Sequence, residues 1–376
     1  MTALIDRIRT ASRRPASLGS TPHGAISLAM GEPFFRTPAP IVAAAIEGLR
    51  LGLTRYERLT GSASLREAVA AHLSDDSCRT LDPGQVVITH GASAGLAATI
   101  LALVNPGDRV LVPEPTYSLY ADHVAMAGGQ TVWIANRPDG SLDLDHIERE
   151  LPHARLIVVC NPSNPTGYVL DRTELSMLAG LVQRTGAYLL CDEAYSDIVF
   201  DGEFCSSLGL DADRVVCCGT FSKTYAMTGW RLGYVVAPEP VADAVNLVHR
   251  TLNGAVNTFV QHAAHAALPL RRTLARDFVA EYRLRRDLVA EELAAVPGVH
   301  CTPPRGAFYV FPRIETELSS DALTARLADA GVLVRSGTEY GPSGEGHIRI
   351  SYATDLDNLT EALRRLTAVL RCHTST

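Results

Sequence analysis

A lysine set among hydroxyls, small residues and a nearby arginine can do carbonyl chemistry. The run Gly219-Thr220-Phe221-Ser222-Lys223-Thr224-Tyr225-Ala226-Met227-Thr228-Gly229-Trp230-Arg231-Leu232-Gly233 holds such a lysine. It joins an apolar strand to a turn, so Lys223 can be kept from bulk water. Desolvation and a cationic neighbour lower an amine's pKa, which the amine needs before it can attack a carbonyl. The Thr220 and Ser222 hydroxyls, with the Arg231 guanidinium, make an anion cradle beside it. A phosphorylated aldehyde meets both demands, and pyridoxal 5'-phosphate (PLP) is the common one. Read alone, the run also fits a surface lysine in a turn.

Other segments carry groups that suit the same chemistry. Asp192-Glu193-Ala194-Tyr195 closes an apolar strand. A carboxylate there needs a cationic partner to stay ionised, and a protonated pyridine nitrogen is one. A loop or a divalent-metal site is the other reading. Asn161-Pro162-Ser163-Asn164-Pro165-Thr166-Gly167 has two X-Pro steps that force an extended, irregular backbone, able to aim an Asn amide or simply to turn. Gly91-Ala92-Ser93-Ala94-Gly95 sits between a strand and an apolar helix, where backbone N–H groups can face an anion. Tyr117 follows a strand and can stack on a pyridine ring or pack in the core. Arg349, between Ile348 and Ile350, suits a carboxylate bidentately or a salt bridge at a sheet edge.

These residues must be positioned by a sheet. From about residue 86 short apolar runs alternate with helical stretches, predicting strands at Val86–Thr89, Arg109–Val112, Thr131–Ala135, Leu156–Cys160, Tyr188–Cys191, Arg214–Cys218 and Leu232–Ala237. Several lack polar alternation, as strands covered on both faces do. The expected fold is α/β: a doubly wound, seven-stranded, mostly parallel sheet flanked by helices, binding ligands beyond the strand carboxyl ends. A long helix is expected from about Arg271 to Val296, with Leu274, Phe278 and Tyr282 on one face. A helix near Asp321–Ala330 and a last amphipathic helix ending near Leu370 follow. Together with shorter elements around Cys301–Pro312 they suggest a smaller α+β domain.

The lysine run, with Ser222-Lys223 followed by Gly229-Trp230-Arg231-Leu232-Gly233, resembles the motif of class I/II aminotransferases, the fold-type-I PLP enzymes. The resemblance extends from Gly31-Glu32-Pro33 to Arg349, in the family's order. It implies a large domain over 38–268 and a small one from 1–37 and 269–376. It implies Lys223 as the amine that condenses with PLP, Asp192 on the pyridine nitrogen, and Asn164 and Tyr195 on the phenolic oxygen. Ala92, Ser93, Thr220, Ser222 and Arg231 would surround the phosphate, with Tyr117 stacked on the ring. Gly31 would lie over the substrate, Asn164 would also meet its carboxylate, and Arg349 would grip the α-carboxylate. Tyr56, in Arg55-Tyr56-Glu57-Arg58-Leu59-Thr60-Gly61, would reach the phosphate of a partner subunit in a homodimer. Departures are mild: Thr220 where Ser is frequent and Tyr340 where Phe is frequent. The activity implied is transfer of an amino group from an L-amino acid to a 2-oxo acid. A lyase, decarboxylase or cyclase on the same cofactor is the alternative. A ligand-sensing half of a transcription regulator would want a basic helix-turn-helix domain, and only about thirty residues precede Gly31. The substrate side chain is open, with Arg36, Arg55, Arg58, Phe34 and Phe35 as candidates.

The bulk numbers fit this frame. A length of 376 residues suits two domains. A net charge of −7 and a pI near 5.9 argue against nucleic acid and anionic membranes as partners. The start Met1-Thr2-Ala3-Leu4-Ile5-Asp6-Arg7-Ile8-Arg9 is charged too early for a signal peptide, and no apolar run is long enough for a membrane span. None of the eight cysteines forms a C-x-x-C pair; Cys160, Cys191, Cys217 and Cys218 lie inside apolar strands, as small hydrophobes of a reducing cytoplasm do. His262 and His265 share a helix face without a matching set of metal ligands.

Overall fold

The computed structural model describes residues 24–210 and 213–374; the charged run Met1–Arg9 lies outside them. All seven anticipated strands form one sheet: β1 (Val86–Thr89), β2 (Arg109–Glu114), β3 (Gln130–Ala135), β4 (Leu156–Cys160), β5 (Tyr188–Asp192), β6 (Val215–Thr220) and β7 (Gly233–Val236). Their order is β1-β7-β6-β5-β4-β2-β3. Every pairing is parallel except those of β7, which runs antiparallel to both β1 and β6. The apolar runs are continuous because both faces are covered. Val158, Leu190 and Val216 belong to one core cluster, while Ile157, Val159, Leu189 and Val215 belong to another on the opposite face. The period-2 pleat thus divides one hydrophobic string between two cores.

Several boundaries moved, three of them for a clear backbone reason. Strand β2 continues past Val112 to Glu114 because its pairing with β3 runs on to Glu114↔Ala135. Likewise β6 extends to Thr220, which pairs with Gly233. The helix after β1 begins at Gly91, not Leu96. Gly91 takes φ +78°, a left-handed value that glycine adopts at no steric cost, and starts the helix at once.

Six helices matter here: α1 (Ala39–Arg50), α2 (Gly91–Leu103), α3 (Glu239–Asn253), α4 (Thr258–Ala267), α5 (Arg271–Ala294) and α6 (Leu356–His373). The chain beyond α5 builds a second, antiparallel sheet from β8 (Tyr309–Val310), β9 (Arg335–Ser336) and β10 (Ile348–Ser351), ordered β8-β10-β9. The segment Ile26–Ser27 joins this block by pairing with Val332–Leu333. Tyr282, Phe308 and Ile348 share a core cluster with Leu190 and Val216, so the second block is packed onto the first. Phe278 and Tyr282 of α5 face inward together: Phe35 stacks on Phe278 at 3.8 Å and meets Tyr282 edge-on.

The parallel strands end at one edge, and the antiparallel β7 begins there. Gly233 occupies that junction, paired to Thr89 and Thr220. A Cβ on Gly233 would come within 2.7 Å of the Ala92 nitrogen and the Gly219 oxygen, both backbone atoms that cannot swing aside. Replacing Gly233 by alanine should therefore cost about 1–3 kcal/mol, as overpacking does. Denaturant unfolding of G233A against the parent checks this, and an unchanged midpoint would refute the close approach.

Candidate active site

At the shared strand edge lies a cavity of about 430 Å³. Its wall includes every residue to which the resemblance gives a role except Tyr56: Gly31, Ala92, Ser93, Tyr117, Asn164, Asp192, Tyr195, Thr220, Ser222, Lys223, Arg231 and Arg349. Strands β1, β2, β4, β5 and β6 all end at this edge, and the second block adds residues more than 300 positions apart, Ala29 and Arg349, which are hydrogen-bonded to each other.

Lys223 follows β6 on a tight loop closed by Met227 N–H donating to Ser222 O. Its Nζ donates to Gly31 O at 2.6 Å and lies 5.7 Å from the Tyr195 ring centre. Burial first, and then the Arg349 charge, pull the amine down to about 8; Asp192 and Glu32 oppose this and Arg231 adds to it. Lys223 is also the only lysine in the chain, every other Lys or Arg position being arginine. The sequence carried that signal and the motif-based reading passed over it. With no second lysine, a surface role for this residue type is left to arginine throughout.

Asp192, the last residue of β5, is buried and accepts from the Tyr120 hydroxyl at 2.7 Å and the Ala194 N–H at 3.1 Å. Burial pushes its carboxyl above the usual range; the two hydrogen bonds and the Lys223 charge pull it back. Tyr120 was not foreseen. It lies one turn beyond Tyr117 and meets it edge-on at 5.7 Å, so the strand-end segment supplies both a ring to the wall and a hydroxyl to Asp192.

The opposite end is an anion cradle. Arg231 takes the left-handed φ +54°, and its Nη1 donates to Thr228 O at 2.7 Å. The guanidinium lies against Gly91, where any Cβ would approach Nη2 to 2.7 Å. Ala92 and Ser93, in the first turn of the thirteen-residue α2, point unpaired N–H groups and the positive helix end the same way. The Thr220 hydroxyl, 2.9 Å from Ser222 Oγ, accepts the Ser222 N–H at 3.1 Å and fixes that loop.

On the substrate side, Arg349 of β10 donates from Nη1 to Asn164 Oδ1 at 3.1 Å and from Nη2 to Ala29 O at 2.6 Å. Its Nε is buried and has no hydrogen-bond partner among the described residues. The guanidinium lies over Tyr309, 4.3 Å from the ring centre, and 5.2 Å from that of Tyr340. Tyr309 and Tyr195 share a hydroxyl contact of 2.7 Å. A Cβ on Gly31 would collide with the Tyr309 hydroxyl, so that glycine is a packing requirement.

Several sequence candidates lie elsewhere. Tyr56 is 97% exposed on this chain. Arg36, Arg55 and Arg58 are exposed and absent from the cavity wall. Phe34 and Phe35 pack against each other and against α5, with the Arg285 guanidinium over Phe34, and line no part of the cavity. His262 lies 3.7 Å from Glu47 of α1. Two charged residues that no motif flagged, Arg335 and Glu339, do line the cavity.

The geometry fits PLP: one amine, a buried acceptor carboxylate at one side, an anion cradle at the other and an arginine with an unused buried donor. Comparison with known proteins gives the family. The sequence profile described as aminotransferase class I and II matches residues 24–366. The arginine–pyruvate transaminase of Pseudomonas aeruginosa is 38% identical, covering 90% of this chain and 88% of its own. The aromatic-amino-acid aminotransferase 2 of Thermococcus litoralis is 36% identical over 98% of both. A double mutant of the Thermus thermophilus aspartate aminotransferase superposes with a TM-score of 0.91 at 32% identity, covering 98% of this chain and all of that one.

The amine's depressed pKa gives a direct test on the protein without cofactor. Acylation of Lys223, followed by intact mass and peptide mapping, should rise through about pH 8. An ordinary exposed lysine titrates about two units higher. A profile centred there instead would mean that Lys223 is solvated.

Proposed function

The chain belongs to the class I and II aminotransferases, and we propose that it works on PLP bound through Lys223, with the residues of this cavity in the roles the resemblance implies. The observation that carries the assignment is the single lysine of the chain, held inside the cavity with its amine pulled down to about 8. Bound here, PLP would supply an aldehyde for amines and a ring that accepts electrons. Arg231, Ser222, Thr220 and the N–H groups of Ala92 and Ser93 hold the phosphate, and Tyr117 covers a ring face. Asp192 keeps a proton on the pyridine nitrogen: its ionised form, disfavoured by burial alone, is stabilised by that charge and by Tyr120. Asn164 and Tyr195 direct hydrogen bonds at the phenolic oxygen. Arg349 takes the substrate α-carboxylate, for which its buried Nε is a waiting donor. Gly31 lies over the substrate, and Lys223 moves the proton between Cα and C4′.

The same reading makes the enzyme a homodimer with shared active sites. Val42, Ile46 and Leu49 form an exposed apolar stripe at helical spacing on α1. Leu51, Tyr56 and Leu59 continue it, exposed, on the following segment. A second copy laid on this face would cover the stripe and carry Tyr56 to the neighbouring phosphate. We assign 38–268 to the large domain, and 1–37 with 269–376 to the small one, of which residues 1–23 lie outside those described. We place the enzyme in the cytoplasm, where the buried strand cysteines stay reduced. Among the described residues, no helix is long and apolar enough to cross a membrane.

Two experiments test the proposal. Borohydride reduction of protein loaded with PLP should fix the cofactor on the Lys223 peptide; label on the N-terminal amine alone would sink the assignment. Amino acid without an acceptor should convert the cofactor to its amine form once per site, releasing a 2-oxo acid. An added 2-oxo acid should restore it. Repeated turnover without acceptor, giving ammonia, carbon dioxide or a cyclised product, would move the enzyme to the lyase, decarboxylase or cyclase reading.

The dimer has its own check. Removing one hydroxyl by Tyr56→Phe should weaken cofactor retention by ~1.5–3 kcal/mol, the worth of a hydrogen bond to a charged group. Sedimentation should give a dimer, and a fully active monomer at high dilution would contradict shared sites.

A further inference from the structure

The relatives named above act on arginine, aromatic amino acids and aspartate by their names, so membership of the family leaves the side chain open. This cavity contains a feature that narrows it. Arg335 on β9 pairs directly with Arg349 on β10 in antiparallel register. Facing residues of such a pair project to the same side of the sheet, with Cβ atoms about 5 Å apart. Both side chains line the one cavity wall. Only one of them is needed for an α-carboxylate.

A second buried cation is costly unless something uses it. Glu339 uses part of it: Arg335 Nη1 donates to Glu339 Oε2 at 3.2 Å, with side-chain exposures of 11% and 8%. A guanidinium carries five N–H donors. No other acceptor among the described residues takes a hydrogen bond from Arg335, and the residue lines the cavity. Most of its fork is unspent, on a side chain that lines the cavity.

Resting on the aminotransferase reading, we propose that Arg335 is the side-chain specificity residue. Its free fork takes the distal carboxylate of a dicarboxylic amino acid or 2-oxo acid, whose α-carboxylate Arg349 holds. Glu339 is the counter-charge that keeps Arg335 oriented when no such group is bound. A cationic side chain fits less well, because Glu339 is already engaged by Arg335 and any cation beside it would face both arginines. Arg36, Arg55 and Arg58 are exposed and line no part of this chain's own cavity.

The test compares holoenzyme with R335M and R335K, using L-glutamate against the near-isosteric neutral L-methionine. In R335M the glutamate-to-methionine ratio of kcat/KM should fall about 10- to 100-fold, as loss of charged hydrogen bonds implies. R335K, which keeps the charge but not the fork, should fall between. Calorimetric titration with glutarate, against pentanoate as the monoacid control, should show the same loss of diacid preference without any turnover. A ratio unchanged in R335M, or both substrates falling together, would make Arg335 a structural wall and overturn the proposal. So would a parent enzyme that prefers basic amino acids and loses them in E339Q. Failure of the parent to convert its cofactor with any amino acid would strike the reaction itself, while the glutarate titration would still report on Arg335. If R335M does not retain cofactor, as absorbance will tell, R335K and its titration decide.

Discussion

Everything in this site depends on holding several charges out of water within one small cavity. Lys223, Arg335 and Arg349 are held there, and so are Asp192 and Glu339, while Arg231 and Glu32 face the cavity from exposed positions. Each would be expensive to bury alone, and each is stabilised by a partner already in the wall or by one that a ligand brings. Glu339 answers Arg335, and Tyr120 with the Ala194 N–H answers Asp192. Asn164 and the Ala29 carbonyl answer two donors of Arg349. What stays unanswered is informative: the Arg349 Nε, the spare fork of Arg335, and the donors of Arg231 other than the Nη1 bond to Thr228 O, above the first turn of α2. These residual donors mark three places for oxyanions, which is the pattern a phosphate and a dicarboxylate would fill together.

The fold supplies that arrangement through one topological device. Parallel strands deliver their carboxyl ends to a common edge, so loops far apart in sequence share it. The antiparallel β7 then brings Leu232 and Gly233 back beside Thr220 and Thr89, which sets Arg231 against Gly91. Glycine at 91, 219 and 233 lets backbone and rings approach more closely than any side chain would permit. From the other block, β10 carries Arg349 to within hydrogen-bond distance of Asn164, so the carboxylate grip and the cofactor side of the cavity belong to different layers joined by one core.

Much of this was legible in the chain because the relevant signals are local. Apolar strings gave all seven strands, and residues just after each string gave most of the wall. Where sequence reasoning fell short, the missing information was three-dimensional. Tyr120 reads as core until its hydroxyl is found against Asp192. Tyr309 sits in an apolar run, and only its contacts with Tyr195 and Arg349 set it apart. Arg335 on β9 and Glu339 in the turn that follows belong to no motif, and the placing of Arg335 beside Arg349 depends on the β9–β10 register. Arg55 and Arg58 flank Tyr56 and are exposed with it on this chain. Strand ends were underestimated because cross-strand pairing, not hydrophobicity, extends β2 and β6.

The use of basic residues repays a last argument. Arginine stays protonated at any pH a protein meets, so it can hold oxyanions but cannot serve as an amine nucleophile. Lysine becomes nucleophilic only once it sheds its proton, which burial and neighbouring cations favour. In this chain the two jobs are divided without overlap: every surface and oxyanion position of basic character is arginine, and the one lysine sits where Arg349 and burial depress its pKa. An aldehyde entering the cavity meets a single side-chain amine, flanked by cations that cannot compete with it for the carbonyl. Selectivity for the attachment point is thus set by residue type before geometry acts, and geometry has only to aim the carbonyl at Lys223.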